Sequence, residues 1–505
     1  MDSHGNQTMM HTEQWMDSKG LIVGIICVLI ILTLTTSYYG FGDIGDYADT
    51  AKFFAGDYSA KIRSSHSYLL GFVHAPFVAL LGSFIAFKIS SIIILLLLIY
   101  SVYYISARNK KTLWMMLLSP IVWFMAPWIN PIQIASLFLL WAWYFIREYH
   151  QTNRMRSLVY SGILIGLGWA FWDTILYFGV ILGICFLYDK KIWHGALYSI
   201  AIFVGLLPRM VLDQYLFGFA FFTSLKTFLS GFANLSGGIY QRAYGHTPFS
   251  LTTVLPFLLA LPLTFWSLYT FRNFRNHQRT MIFLSLSLLL LLTNPQIRYA
   301  LALVPIMLVL LTPLFDKKLL WRIQSIGSIL LVLLVIFSYS LQISSTLNNH
   351  VYGNDVTNLF TEGIHLSPGH LSSQLEENLN AIAQEFPSQT FVIGNEPDTY
   401  QILAHFYWGK NVKEFVSIQD YDLFLRNETI LYQKRFQPQP RIPERRQFYI
   451  EGGLKKNEND PTDYPAIEYG IGFGEPLKLE GFSVVKKYNL LYLSKKVTVL
   501  KTPSV

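Results

Sequence analysis

The sequence predicts a polytopic α-helical membrane protein with a C-terminal α/β domain. Three observations predict it. Of its 505 residues 52% are hydrophobic and only 14% are charged, against about 25% charged in soluble domains. The apolar residues come in blocks such as "SSIIILLLLIYSVYYISA" and "SIGSILLVLLVIFSYSL", and about 18 or more such residues suffice to cross a hydrocarbon core. Beyond residue 345 the composition turns polar and the patterns of a soluble domain take over.

Charge placement threads the chain. The net charge is +8, with 39 Lys and Arg against 31 Asp and Glu. This excess does not mark a nucleic-acid binder, because the basic residues sit in short connectors between apolar blocks, where the positive-inside rule puts them. "ARNKK", "REYHQTNRMR", "DKK" at Asp189, "FRNFRNHQR" and "DKK" at Asp316 are these connectors. Placed on the cytoplasmic side, they require an even number of crossings between successive clusters. About eleven spans satisfy this: about 20–39, 86–107, 112–128, 132–147, 157–172, 174–188, 194–208, 251–270, 280–293, 299–315 and 320–341. The polar N-terminus ahead of a long first block predicts a retained span rather than a cleaved signal. "HSYLLGFVHAPFVALLG" (His66–Gly82) is apolar enough to cross, but a crossing there would invert "RNKK"; it reads as an interfacial helix on the outer face. Residues 1–345 thus form the membrane domain, with its first outer loop at 40–85. Residues 346–505 form an extracytoplasmic domain, in which Ser367 and Pro368 start a helix carrying Leu371, Leu375, Leu379, Ile382 and Phe386 at helical spacing. "TFVIG" reads as a strand, "PDTYQILAHFYWG" as a second helix, and "GFSVVKKYNLLYLSKKVTVLK" as two strands turning near Asn489 or Ser494. Cys27 and Cys185 lie in apolar runs and read as packing residues.

In this threading the polar residues of functional interest gather on the outer connectors. The first loop holds Asp43, Asp46, Asp49 and Asp57; other outer connectors hold Asn130, Gln133, Asp173, Arg209, Asp213, Arg242, Asn294, Gln296 and Arg298. Ionisable groups at membrane depth cost about 2.5–3.5 kcal/mol on insertion scales and generally serve function. A loop acid beside a span is ordinarily a solvated cap, and Asp49 and Asp57 take that reading. Asp43 and Asp46 differ, since they lie within a turn of a span end among glycines that let a ligand approach the backbone. Arg298 points to an anion contact, and Asp173 stays open between a site residue and a hairpin cap. His66 and His74 read as interfacial residues rather than metal ligands, because no residues show metal-ligand spacing. With Tyr47, Asp173 and Tyr299 they complete the candidate substrate-binding set.

These segments resemble a known superfamily. "DIGDYADTAKFFAGDYS" resembles the first outer loop of the GT-C membrane glycosyltransferases, in the branch of protein O-mannosyltransferases and lipid A aminoarabinose transferases. That loop carries an Asp-Glu pair, then Tyr-Ala, an alanine helix and a Gly-Asp-Trp turn. Laying Tyr47-Ala48 on Tyr-Ala puts Asp43 on the first acid and Ile44 on the second, which leaves Asp46 as the substitute. "HSYLLGFVHAPFVALLG" looks like the family's second juxtamembrane helix. "LLPRMVLDQYLFG" is similar to the segment after its span 7, and "RYALALVPIMLVLL" to its Arg-Tyr-Leu-Leu-Pro span. Where relatives carry a lysine between spans 5 and 6, this chain has Asp173. The resemblance runs over residues 20 to about 340. It implies transfer of a sugar from a polyprenyl- or dolichyl-phosphate donor to a glycan, protein or lipid acceptor at the outer face of the cell membrane. Asp43 or Asp46 would be the base, and Arg298, Arg209 and Arg242 the donor-phosphate contacts. A divalent metal shared by Asp43 and Asp46 is compatible with the pattern, but the branch mostly does without one. The rival reading is a lipid or polysaccharide transporter or flippase. That class carries its charges near the midplane in paired halves, and neither feature is seen in the sequence.

Overall fold

In the computed structural model the described residues are 19–35, 44–56, 68–81, 85–188, 192–225, 227, 251–270, 274–341, 378, 381–382, 384–386, 390–393, 414–417, 437–438, 448–449, 468–473, 476–477, 479, 481–488 and 491–496. The helices are α1 (Lys19–Thr35), α2 (Ile44–Phe54), α3 (Leu69–Leu81), α4 (Ile85–Ile105), α5 (Lys110–Leu117), α6 (Pro120–Met125), α7 (Ile132–Thr152), α8 (Met155–Phe171), α9 (Thr174–Leu187) and α10 (Ile192–Phe217). They continue with α11 (Leu251–Leu259), α12 (Ser267–Thr270), α13 (Phe274–Leu292), α14 (Val304–Leu311) and α15 (Lys318–Leu341). One continuous apolar core, running from Leu29 to Val335, joins most of them. Among the described residues three helices are long and apolar enough to cross a membrane by length and composition: Ile85–Ile105, Ile192–Phe217 and Lys318–Ile336.

Over the described residues every expected span coincides with helical segments, but three of them are broken, each at a proline. The segment 112–128 splits into α5 and α6 with Pro120 at the first position of α6. The segment 251–270 splits into α11 and α12 around Pro262. The segment 299–315 becomes a 3-10 turn (Ile297–Ala302), α14 and a second 3-10 turn (Thr312–Asp316), with Pro305 and Pro313 at the starts of the last two. Proline lacks the N–H and clashes with the preceding turn. A break inside an apolar core survives only if the freed backbone groups find partners. Gln324 of α15 supplies one set: its Oε1 accepts from Thr264 N at 3.0 Å and from Thr264 Oγ1 at 2.9 Å. Trp123 Nε1 donates to Leu117 O at 2.7 Å, and Gln133 Nε2 to Met125 O at 2.6 Å.

The helix α2 is followed by Gly56, whose φ of +107° glycine adopts without penalty. Its Tyr47 and Ala51 are buried against α3 and α4. Contact with α3 is close enough that a Cβ on Gly71 would fall 2.7 Å from Thr50 Cβ. At 13 residues α3 is about 20 Å long, short of a hydrocarbon core of about 30 Å.

The tightest crossing joins α8 to α10. A Cβ on Gly166 would lie 2.0 Å from Ile202 O, and one on Gly205 2.0 Å from Ile163 O. Gly162-x-x-x-Gly166 facing Ala201-x-x-x-Gly205 is the small-residue seam by which apolar helices approach in lipid. The sequence reading did not single it out. Gly166→Leu is expected to separate α8 from α10, with a loss of at least about 3 kcal/mol by overpacking. The check is size-exclusion profile and thermal unfolding in detergent, where a variant as monodisperse and stable as wild type would refute the close crossing.

In the C-terminal region β1 (Thr390–Ile393) lies between β2 (Glu414–Ser417) and β5 (Tyr469–Phe473), parallel to both. The strand β7 (Leu491–Lys496) runs antiparallel to β5 and to β6 (Phe482–Tyr488), giving the order β2-β1-β5-β7-β6. Gln437–Pro438 (β3) and Phe448–Tyr449 (β4) form a separate pair. The expected strand "TFVIG" is β1. Of the two expected turn positions Asn489 lies outside the described residues, whereas Ser494 lies inside β7 and pairs with Val484. Of the expected helix before β1, residues 378, 381–382 and 384–385 are described and helical, with Ile382 buried. The second expected helix lies outside the described residues.

Candidate functional site

The site is built where α8 turns into α9, beside the C-terminal half of α10. Trp172 and Asp173 make the turn, and Asp173 occupies the N-cap position of α9 without a side-chain capping bond. Its carboxylate instead meets the α10 side chain Arg209, Nη1 to Oδ1 at 2.7 Å. Trp169 Nε1 donates to the same Oδ1 at 3.2 Å. Arg209 is 1% exposed; its Nη1 also donates to Trp169 O at 3.1 Å and its Nε to Thr223 Oγ1 at 2.9 Å. Its Nη2 has no hydrogen-bond partner among the described residues.

One turn further along α10, Asp213 is wholly buried and receives three donors. Tyr68 Oη donates to Oδ1 at 2.9 Å, Thr223 N to Oδ2 at 3.0 Å and Thr223 Oγ1 to Oδ2 at 2.8 Å. A buried carboxylate needs such donors to remain charged away from water. Arg209 thus lies between two acids, and the network ties four segments together: the start of α3 (Tyr68), the α8–α9 turn, α10 and the stretch after it. Tyr68 and Thr223 were not singled out from the sequence. Nothing local marks them, because Tyr68 meets an acid 145 positions away. The surrounding apolar cluster of Phe53, Tyr68, Leu206 and Phe217 holds the polar groups in place.

A second cluster shares the same turn. The Trp172 ring lies 5.3 Å from Tyr299. The guanidinium of Arg298 sits 5.4 Å from the Tyr299 ring and 5.9 Å from that of Trp128. Arg298 Nε donates to Gln296 Oε1 at 2.7 Å. Arg298 is half-buried, in contrast to Arg209. Resting a planar cation on aromatic faces orients it without neutralising its charge.

The structure therefore brings Asp173, Arg209, Arg298 and Tyr299 to one end of the helix bundle. Tyr47 is 3% exposed and packs inside the α2–α3–α4 core rather than facing outward. His74 is also fully buried, its Nδ1 against the Ser90 hydroxyl. Asp46 lies on α2, one residue before Tyr47. Asp43, His66 and Arg242 lie outside the described residues, as does Asp57. Phe171, next to the Trp172–Asp173 turn, packs against both the Tyr47 cluster and the Tyr68 cluster, so α2 and α3 adjoin the same end. Among the described residues no group of three His, Cys, Asp or Glu is arranged to hold a metal ion.

This arrangement sits on the fold of a helical membrane protein, and solved structures give that fold a counterpart. ArnT from Cupriavidus metallidurans bound to undecaprenyl phosphate is similar at a TM-score of 0.57, with 13% identity over 96% of this chain and 99% of that one. The apo state of the same protein gives 0.59 and 14%, with the same coverage. The apo oligosaccharyltransferase of Archaeoglobus fulgidus is matched at 0.44 and 12%, over 78% of this chain and 64% of that one. No protein-family model matches the chain, and no curated protein matches it either. At these identities the likeness to ArnT defines the fold: the chain has an ArnT-like helical membrane architecture over nearly its whole length.

Proposed function

We propose that this protein is a glycosyltransferase that moves a sugar from a polyprenyl-phosphate carrier to an acceptor hydroxyl at the outer membrane face. The observation that carries the reading is the near-complete fold match to ArnT in a structure holding undecaprenyl phosphate. The clustering of Arg298 and Asp173 at one end of the bundle supports it. In this reading about eleven segments cross the bilayer, the loop at 40–85 lies outside, and residues 346–505 form an extracytoplasmic domain. The branch within the GT-C superfamily is the aminoarabinose and protein O-mannosyl one, with a polyprenyl or dolichyl carrier.

The chemistry follows from the residues. A lipid donor keeps its chain in the bilayer and its phosphate at the interface, so the reacting carbon lies at the ends of spans. The Asp43 carboxylate takes the proton of the acceptor hydroxyl as its oxygen forms a bond to the anomeric carbon. The bond from that carbon to the phosphate oxygen breaks, and the electron pair leaves with the polyprenyl phosphate. Attack opposite the leaving group inverts the anomeric centre. Arg298, oriented by Trp128 and Tyr299, meets the charge developing on the phosphate. Arg209 contributes through Nη2, the part of its guanidinium not committed to Asp173, Thr223 and Trp169. Arg242 and His66 complete the proposed substrate surround, and Asp46 stands in if Asp43 is not the base.

Purified protein incubated with radiolabelled polyprenyl-phosphate sugars tests this directly. A transferase cleaves the donor and labels an acceptor, whereas a transporter or flippase relocates the lipid intact. Arg298→Gln is expected to lower kcat by about 10²–10³, the range for removing one donor from a developing oxyanion, with Arg298→Lys retaining part of the rate. Unchanged kcat in Arg298→Gln would remove Arg298 from that role.

A further inference from the structure

We propose that Lys88 is a positioning residue for this transfer reaction: together with Ser90 it makes the first turns of α4 the anchor for both flanks of the acid-bearing first loop. The proposal rests on the functional reading above.

Lys88 is 1% exposed in a helix that is otherwise almost wholly apolar. A cationic side chain is costly there and needs a task. Its Nζ donates to Thr33 O at 3.0 Å. Thr33 lies two residues from the end of α1, among the last four carbonyls that no N–H of their own helix can reach. A cation placed there also complements the negative end of the helix dipole. Lys88 is therefore the C-terminal cap of the first helix, supplied from 55 positions away.

Ser90, two residues on, faces the other flank. Its hydroxyl reaches back to Ala86 O and Phe87 O, both at 3.0 Å, and also meets the ring of His74 on α3. His74 is fully buried, with the Phe87 ring packed edge-on at 5.1 Å. Its Nδ1 meets the Ser90 hydroxyl, and its Nε2 has no partner among the described residues. The helix α3 then holds α2 through the close contact at Gly71. The order of attachment runs α1 to Lys88, Ser90 to α3, and α3 to α2. Asp43 and Asp46 belong to the segment between these two attachments. A reacting group displaced by about 1 Å can lose about 10²-fold in rate, so the anchor governs the base without touching substrate.

The test compares full-length wild type, Lys88→Met, Lys88→Arg and Ser90→Ala with a radiolabelled polyprenyl-phosphate sugar, alongside hydrogen exchange at the last amides of α1. Lys88→Met is expected to lower kcat about 100-fold while the donor KM stays within about threefold. Lys88→Arg, which can still donate to the Thr33 carbonyl, should recover at least about tenfold of that loss, and Ser90→Ala should lose about tenfold. Exchange at residues 32–35 should quicken in Lys88→Met. A raised donor KM with kcat intact would make Lys88 a donor ligand and overturn the proposal, as would unchanged kcat or unchanged exchange. If Lys88→Met does not fold, Ser90→Ala carries the kinetic arm by itself, and full activity there overturns the anchor. Wild type that cleaves no donor refutes the transferase reading separately, and the exchange arm still decides whether Lys88 fixes the end of α1.

Discussion

Asp43→Asn is expected to abolish sugar transfer while the protein is expressed, folds and binds donor as before. Asparagine keeps the shape of the side chain and removes its ability to accept a proton. A positioned general base contributes about 10²–10⁴ in rate, so kcat should fall by at least about 10³ if the base also orients the acceptor. Donor affinity should hold, because the phosphate contacts are assigned elsewhere, to Arg298 above all. Single-turnover cleavage of a labelled donor, with donor binding measured separately, reads both quantities. Wild-type turnover in Asp43→Asn would transfer the role to Asp46, and the Asp46→Asn variant would then show the loss. Activity in both single variants would end the assignment of a first-loop carboxylate.

Arg209→Met is expected to be the most damaging substitution outside the reaction itself. It leaves Asp173 and Asp213 without the cation between them, and Asp213 is wholly buried. Removing one partner of a buried ion pair costs about 3–5 kcal/mol, far more than the net worth of the pair, because the remaining charge is stranded. Asp173→Asn should cost less, since Arg209 keeps Thr223 and the Trp169 carbonyl. The double variant should recover part of the loss, with a coupling of about 1–3 kcal/mol. Thermal unfolding of the four proteins in detergent gives the cycle. A coupling near zero would mean that the 2.7 Å contact contributes nothing.

Much of the membrane architecture was legible because apolar periodicity and loop charge are local signals. The described helices fall on the expected intervals, and the expected short helix at 66–82 has its counterpart in α3. The breaks at Pro120, Pro262 and Pro305 were visible as prolines but hidden by the averaging that identifies an apolar block. The small-residue seam of α8 and α10 was equally visible as Gly162, Gly166, Ala201 and Gly205. It went unread because small residues have meaning only once two helices face one another.

The candidate site was legible in part. Asp173, Arg209, Arg298 and Tyr299 were selectable as polar or aromatic residues at span ends. Their partners were not, since Tyr68, Thr223, Trp128 and Lys88 look like ordinary members of apolar or loop segments. Tyr47 and His74 were read as facing a substrate and are buried in the packing of α2, α3 and α4.

By itself the sequence determined which segments are apolar, which connectors carry positive charge, and that acids and arginines gather in the connectors next to apolar segments. These depend on the free energy of each residue in lipid or water, a property of residue and neighbourhood. The tertiary structure alone decided that Arg209 is locked between Asp173 and Asp213, that Arg298 rests on aromatic faces, and that a lysine of α4 caps α1. Hydrogen bonds and ion pairs act over a few ångströms in space, and only packing converts separations of 36 to 145 positions into such distances.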